Sequence, residues 1–371
     1  MLESRLTPAG VVVVGSGSGT GPLVALYHDS NNDGIPDPTP YAVFTALTPY
    51  FHGGVRIAVG HFTSTTTLDV AVAAGPGGAP RVQIFHLDAN DLPTGQPESF
   101  LAASAGFHGG LNVAREHSGG ATLDSLLVAA GFGKSFVNVY NDGTSINGAV
   151  PSDKLLANSK IDSFNVYPPS FLGGVRIAAG RNLTAGAISD FVVAAPGPGG
   201  PPTVVVLRDS NNDLMLSDNL AAAQRFMPVE KTWRGGLFVA VGDVGSPSAN
   251  AELIFGRGPG GLPQVIIFSD SNNDGDFTDD GGPASTFLAY NPSFHGGVRV
   301  AATRLSPAAV NLQGEIIVAP SSGAGALLPV EVFKAASNGE VGPADAPLAE
   351  DFPFGPTWGK GYFVAFGGNG S

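Results

Sequence analysis

The chain contains no cysteine, so neither disulfide cross-links nor thiol chemistry is available to it. Charged side chains are also scarce: 13% of 371 residues, about half the usual share. Basic residues are the scarcer sign, 18 against 31 acidic, for a net charge of −13. That balance argues against nonspecific nucleic-acid binding and against anionic membrane surfaces, since both need a basic footprint. It suits a soluble surface or a protein that binds cations. Long hydrophobic runs are missing: Val11 to Val14 falls far short of a membrane span or a secretory core, and no membrane insertion is expected. With no leader in view, the expectation is an excised mature piece of an extracellular or cell-surface protein, monomeric or a module of a larger chain. Helical periodicity is absent as well, and what remains points to β structure.

What the chain has in abundance is glycine and proline, 53 and 30 residues, in a strict pattern. An aromatic residue is followed two positions later by glycine and then by an apolar strand. The copies are Phe51-His-Gly-Gly-Val-Arg-Ile-Ala, Phe107-His-Gly-Gly-Leu-Asn-Val-Ala, Phe171-Leu-Gly-Gly-Val-Arg-Ile-Ala, Trp233-Arg-Gly-Gly-Leu-Phe-Val-Ala, Phe294-His-Gly-Gly-Val-Arg-Val-Ala and Trp358-Gly-Lys-Gly-Tyr-Phe-Val-Ala. Measured at the residue two after the aromatic they fall at 53, 109, 173, 235, 296 and 360. One supersecondary unit is therefore used six times. Each unit buries its faces on its neighbours, so a chain of this length needs no single large core.

Residues 53–107 show the unit. Gly54 to Gly60 reads as a first strand, Leu68 to Ala74 as a second closed by Gly75-Pro-Gly-Gly78, Pro80 to Phe85 as a third, and Ser99 to Ala103 as a fourth after a polar loop from Asp88 to Glu98. Short β-branched runs between Gly, Pro and Asp clusters are hairpin-connected strands. Alanines such as Ala58, Ala71, Ala73 and Ala74 fit strands covered on both faces. The ends complete the picture. Residues 360–368 form a first strand with nothing after it, and 10–47 supply a second, third and fourth with no first before them. Together they make one repeat. A ring closed by that pairing leaves no exposed end sheet, which is how propellers solve the edge problem. The expected fold is all-β, a six-bladed propeller of four-stranded antiparallel blades in one domain, residues 1–371. Its blades span about 53–107, 109–171, 173–233, 235–294, 296–358, and 360–368 with 10–51.

The Phe-x-Gly-Gly-Val-Arg-[Ile/Val]-Ala strand followed by Gly-Pro-Gly-Gly-x-Pro resembles the FG-GAP and VCBS-type repeat propellers of bacterial surface proteins, over nearly the whole chain. The resemblance implies binding or assembly more than catalysis, since relatives include adhesion receptors and lectins. FG-GAP blades often carry an Asp-rich calcium loop between first and second strands. Here the corresponding loops, 61–67, 116–122, 181–189, 243–250 and 304–313, lack it, so calcium is not carried over to that position.

An acidic pattern appears in another loop, between third and fourth strands. Asp29-Ser-Asn-Asn-Asp-Gly-Ile-Pro-Asp37 sets Asp29, Asn31, Asp33 and Asp37 at positions one, three, five and nine, with the Ile35 carbonyl at seven and Gly34 at the sharp turn. Hard oxygens at alternating positions are what calcium requires. Asp270, Asn272, Asp274, the Asp276 carbonyl and Thr278 or Asp279 repeat the arrangement, and 209–217 is a decayed copy with Leu214 for glycine and Ser217 for the closing carboxylate. Such ions would be structural; the same residue types also build tight turns by themselves. His52, His108 and His295 share one repeat position but lie on separate blades, which points to packing or a hydrogen bond rather than a shared metal. Arg56, Arg176 and Arg299 also share a position, replaced by Asn112, Phe238 and Phe363, and are placed to line a channel; they would hold an anion or pair with nearby carboxylates and carbonyls. The Gly-Pro-Gly-Gly turns lack the Lys-[Ser/Thr] and the helix of a phosphate loop. Asn182-Leu-Thr184 matches a glycosylation acceptor, a pattern frequent by chance.

The functional expectation is a non-enzymatic, calcium-stabilised binding or assembly module for a protein or glycan ligand, mediating adhesion or protein–protein contact. The alternatives are a lectin with sugars stacked on the repeat aromatics between blades, and a calcium-dependent hydrolase with its site at the channel mouth.

Overall fold

The computed structural model describes residues 10–30, 35–117, 122–142, 156–184, 187–211, 213–244, 251–303, 314–321, 327–334, 347–355 and 358–368. The first described elements are β1 (Gly10–Ser16), β2 (Leu23–Tyr27) and β3 (Ala42–Thr45). Five complete sheets follow: β4 (Val55–Gly60) to β7 (Pro93–Leu101) through β5 (Asp69–Ala74) and β6 (Arg81–Leu87); then β8 (Leu111–Glu116), β9 (Ser125–Ala130), β10 (Phe136–Tyr140) and β11 (Lys160–Asn165). Next come β12 (Val175–Thr184), β13 (Ala187–Pro196), β14 (Val204–Arg208) and β15 (Gln224–Phe226), then β16 (Leu237–Gly242), β17 (Glu252–Arg257), β18 (Gln264–Phe268) and β19 (Ser285–Leu288). The last sheet is β20 (Val298–Thr303), β21 (Glu315–Pro320), β22 (Val330–Lys334) and β23 (Ala349–Asp351), and β24 (Tyr362–Gly368) ends the chain.

The ring closes as the repeat demands. β24 pairs antiparallel with β1 from Gly10↔Gly368 to Ser16↔Tyr362, giving the sheet order β24-β1-β2-β3. We call this blade 1 and number the others 2 to 6 along the chain. All six sheets have four antiparallel strands, and each first strand touches the first strands of both neighbouring blades. The protein is a six-bladed β-propeller.

The core is divided accordingly. Six buried clusters lie at the six blade junctions. Strand periodicity explains the valine run near the N-terminus: Val11 and Val13 face blade 2, while Val12 and Val14 face blade 6. A strand covered on both faces reads as continuously apolar rather than alternating, and all of β1, β5, β9 and β21 is buried. Alanine recurs at the fourth residue of every first strand (Ala58, Ala114, Ala178, Ala240, Ala301 and Ala365) where six strands converge.

The repeat motif welds blade to blade. Its second glycine sits in the left-handed region in every copy, with φ from 72° at Gly54 to 84° at Gly297. A Cβ there would strike the preceding blade: at Gly174 it would lie 2.0 Å from the Gly131 carbonyl oxygen. Among the described residues the turn after the second strand returns the contact in five blades. The N–H groups of Gly19, Gly77, Gly133, Gly199 and Gly260 donate to the carbonyls of His52, His108, Leu172, Arg234 and His295 on the next blade, at 2.7–2.9 Å. The repeat aromatic fills the cradle formed by its own glycine and the turn: a Cβ on Gly53 or Gly78 would come within 2.4 or 2.6 Å of the Phe51 ring.

Two expected loops are strands. The segment 88–98 was expected to be a polar loop, but β6 and β7 extend to a tight turn in which the Asp88 N–H donates to the Leu92 carbonyl and Asp91 takes φ 58°. The polar residues there alternate on an exposed outer hairpin, so polarity misled. Likewise 181–189 continues the β12–β13 ladder, pairing Asn182↔Ser189 and Thr184↔Ala187.

Candidate functional site

Antiparallel order gives the ring two unlike faces. The second-to-third turns and the blade-to-blade links lie at one face, which we call the turn face. The first-to-second and third-to-fourth loops lie at the other.

Near the turn face the second residue of each first strand lines the channel. Arg56, Asn112, Arg176, Phe238, Arg299 and Phe363 border a cavity of about 100 Å³, with the aliphatic residue that follows each of them. Arginine stands on alternate blades, 2, 4 and 6. Phenyl rings clad the guanidinium faces: Arg56 lies 4.2 Å over Phe363, Arg176 4.0 Å over Phe238, and Arg299 is sandwiched at 3.5 Å from Phe363 and 5.3 Å from Phe238. One terminal nitrogen of each donates to backbone carbonyls, Arg56 to Gly53 (3.1 Å), Arg176 to Leu237 (3.1 Å) and Arg299 to Tyr362 (2.7 Å). Burial depresses Arg56 to about 9, helped by the Arg176 charge, and Arg176 to about 10. Arg299 is held well below the ordinary arginine range by burial and then by the other two. The sequence marked these six positions, but not that the phenylalanines would serve as partners of the arginines.

The acidic loops lie at the opposite face. In the loop after β18, Asp270 accepts from the N–H groups of Asp274 (3.2 Å) and Gly275 (2.9 Å), Asn272 from Asp274, Asp274 from Asp276, and Asp276 from both the N–H and hydroxyl of Thr278. Gly275 has φ 86°, as the sharp turn requires. The Asp279 carboxyl is pushed above its usual range by desolvation and then by Asp274, Asp276 and Asp280. The loop braces the preceding blade: Arg208 and Gln224 donate to the Gly275 carbonyl, and the Phe277 ring packs tilted against Phe191 at 5.8 Å between centroids. In the 209–217 loop Asp209 likewise accepts from the N–H groups of Asp213 and Leu214, with Leu214 at φ 68° in place of glycine and Leu216 buried where Phe277 stands. In the first loop Asp29 is buried and Asp37 accepts from the Ser30 hydroxyl at 2.9 Å; Asn31 and Asp33 lie outside the described residues. Among the described residues no three His, Asp or Glu side chains converge as a metal cluster, because the loop carboxylates turn onto backbone N–H groups. Oxygen type, spacing and the glycine turn nevertheless fit a hard cation.

The histidines behave as repeat parts. His108 and His295 bond the carbonyls of Gly78 and Gly261 on the preceding blade, each at 3.0 Å. Two features escaped sequence reasoning, and both are departures from the repeat. Glu116 ends β8 where the other first strands have Gly60, Gly180, Gly242, Gly367 and Thr303. It is 1% exposed, its oxygens have no hydrogen-bond partner among the described residues, and burial, then Asp209, Asp190, Asp124 and Asp162, raise it to about 8. On the turn face, Phe132 replaces the turn proline and Leu172 the recurrent His or Arg; they are 57% and 55% exposed and flank the Gly133–Leu172 hydrogen bond.

No family model matches the chain, and no curated protein matches it. Solved structures do resemble it. A protein from Lactobacillus plantarum is 12% identical, covering 92% of this chain and 82% of that one, with a TM-score of 0.45. The Dos1 propeller is 12% identical over 92% and 72%, TM-score 0.41. A triple arginine-to-alanine mutant of AofleA from Arthrobotrys oligospora is 10% identical over 97% and 90%, TM-score 0.49. Likeness at these identities concerns fold, and with TM-scores below 0.5 it carries no inference about what this chain binds.

Proposed function

We propose that this propeller is a non-enzymatic binding and assembly module of the FG-GAP/VCBS kind, secreted or displayed at a cell surface, stiffened by calcium, and that it docks a protein partner through its turn face. The observation that carries this reading is the Phe132–Leu172 pair. A rigid repeat that elsewhere has proline or serine at the first position and histidine, arginine or glycine at the second here exposes two large apolar side chains, 57% and 55% accessible, at one junction. Tyr50, 89% exposed, and Leu262, 47% exposed, belong to the same face. Aromatic and aliphatic anchors on a rigid platform suit a protein surface. Calcium is supported by the oxygen pattern at Asp270, Asn272, Asp274, Asp276 and Thr278, by the equivalent Asp29–Asp37 loop, and by the carboxylate crowding around Asp279.

The glycan reading has less support: Phe107 and Phe294 are buried, and Phe51, Phe171 and Trp233 are partly covered by the glycines they pack on, which leaves little ring face for a sugar. The hydrolase reading needs several carboxylates at a channel mouth; the described lining near the turn face is arginine, asparagine, phenylalanine and aliphatic side chains, and the carboxylates gather instead at the opposite face around Glu116. Retention of fluorescently labelled protein on whole cells tests the docking reading. Wild type should bind saturably and F132S/L172S should lose retention while keeping its melting temperature. Equal retention of the two would refute a docking role for this face.

A further inference from the structure

The arginines of the channel are more than repeat decoration. They come from alternate blades, so the six-membered ring has an approximate three-fold arrangement of guanidinium groups separated by Phe363, Asn112 and Phe238. Each group uses one terminal nitrogen on backbone carbonyls. Nothing in the protein accepts from the other terminal nitrogen among the described residues, and the Nε of Arg299 is buried without a partner. Among the described residues no carboxylate borders the cavity. Three cations are thus gathered in a half-buried well of a chain whose net charge is −13. Arg56 and Arg299 are both depressed by burial and by neighbouring guanidinium charge, so the ring is electrostatically incomplete as it stands.

We propose that the channel binds a small, multiply charged tetrahedral oxyanion of the phosphate or sulfate class, held by Arg56, Arg176 and Arg299. Backbone carbonyls account for one edge of each guanidinium only. A tetrahedral oxyanion on the approximate three-fold axis offers three oxygens, one per arginine, and accepts charge-assisted hydrogen bonds from the nitrogens left over. The cavity, about 100 Å³, admits an anion of that size with some water and excludes large polyanions. Phenyl cladding raises the strength of these contacts by withdrawing the guanidinium faces from solvent. The site is independent of the docking face and of calcium.

Isothermal titration calorimetry of the full chain with inorganic phosphate and with sulfate, against chloride at matched ionic strength, tests this. Saturable binding at one site per chain is expected, with a parallel rise in melting temperature that chloride does not produce. Arg299→Gln should weaken binding by at least about tenfold, as loss of a charged hydrogen-bond partner does. Arg81→Gln, on an outer strand bonded to Ser99, should leave it unchanged. Should Arg299→Gln fail to fold, Arg56→Gln, with a single backbone contact, gives the same readout. Absence of binding by both anions, or an Arg299→Gln or Arg56→Gln protein that responds like wild type, overturns the proposal.

Discussion

Glu116 makes the stability of this protein depend on pH with an unusual sign. Its carboxyl is 1% exposed, has no hydrogen-bond partner among the described residues, and is raised from 4.5 to about 8, first by burial and then by Asp209, Asp190, Asp124 and Asp162. Below its ordinary pKa the group is protonated in both the native and the unfolded chain and contributes no difference. Above it the unfolded chain releases the proton while the native state keeps it, so stability falls as pH rises from 4.5 to about 8 and levels off beyond. At ~1.4 kcal/mol per pKa unit the ceiling on this loss between about pH 5 and about pH 8 is ~4 kcal/mol. Glu116→Gln keeps the shape and removes the titration. Unfolding free energies from urea titrations of both proteins should therefore diverge with pH, the variant gaining up to that amount relative to wild type. Glu331, raised to about 8 by burial and then by its cross-strand neighbour Glu350, titrates in both proteins and cancels in the difference. Parallel pH profiles would show that Glu116 is charged and solvated at neutral pH, and the reasoning from burial would fail.

Gly174→Ala should destabilise strongly, because a left-handed φ of 81° costs ~1–2 kcal/mol and the new Cβ would stand 2.0 Å from the Gly131 oxygen, whereas Gly95→Ala, at φ 64° with open space around it, should cost only the backbone term in thermal melts. Deleting β24 strips seven residues of pairing from β1 and should yield aggregated or unfolded material by size-exclusion chromatography and circular dichroism; a soluble folded monomer would contradict closure by that strand. Calcium should raise the melting temperature and chelator lower it, by an amount equivalent to roughly 2.7 kcal/mol at a hundredfold excess over the dissociation constant. Asp274→Asn should blunt that response, and an identical melt with and without chelator would remove calcium from the description.

How much of this was legible in the sequence follows from how strongly each position is constrained by its copies. Where six strands converge, geometry allows one answer six times, and the answer shows as a motif: the positions of the glycines, alanines and aromatics were placed by spacing, while the left-handed φ and the ring packed on glycine are seen only in the structure. The valine run of β1 was readable for the same reason, since a strand sandwiched between blades 2 and 6 has no polar face. The outer hairpin at 88–98 was not, because an edge strand in water is polar on both sides and reads as a loop. Candidate sites sit at the opposite extreme from the scaffold: they are the positions where the copies disagree. Arginine alternating with phenylalanine, glutamate where glycine is usual, and Phe132 in place of proline are each visible as mismatches in aligned repeats. A mismatch identifies a place but not a chemistry. The ring brings Arg56, Arg176 and Arg299 to one cavity from positions more than a hundred residues apart, as their shared repeat position implied, and adds what spacing could not show: Phe238 and Phe363 clad the guanidinium faces.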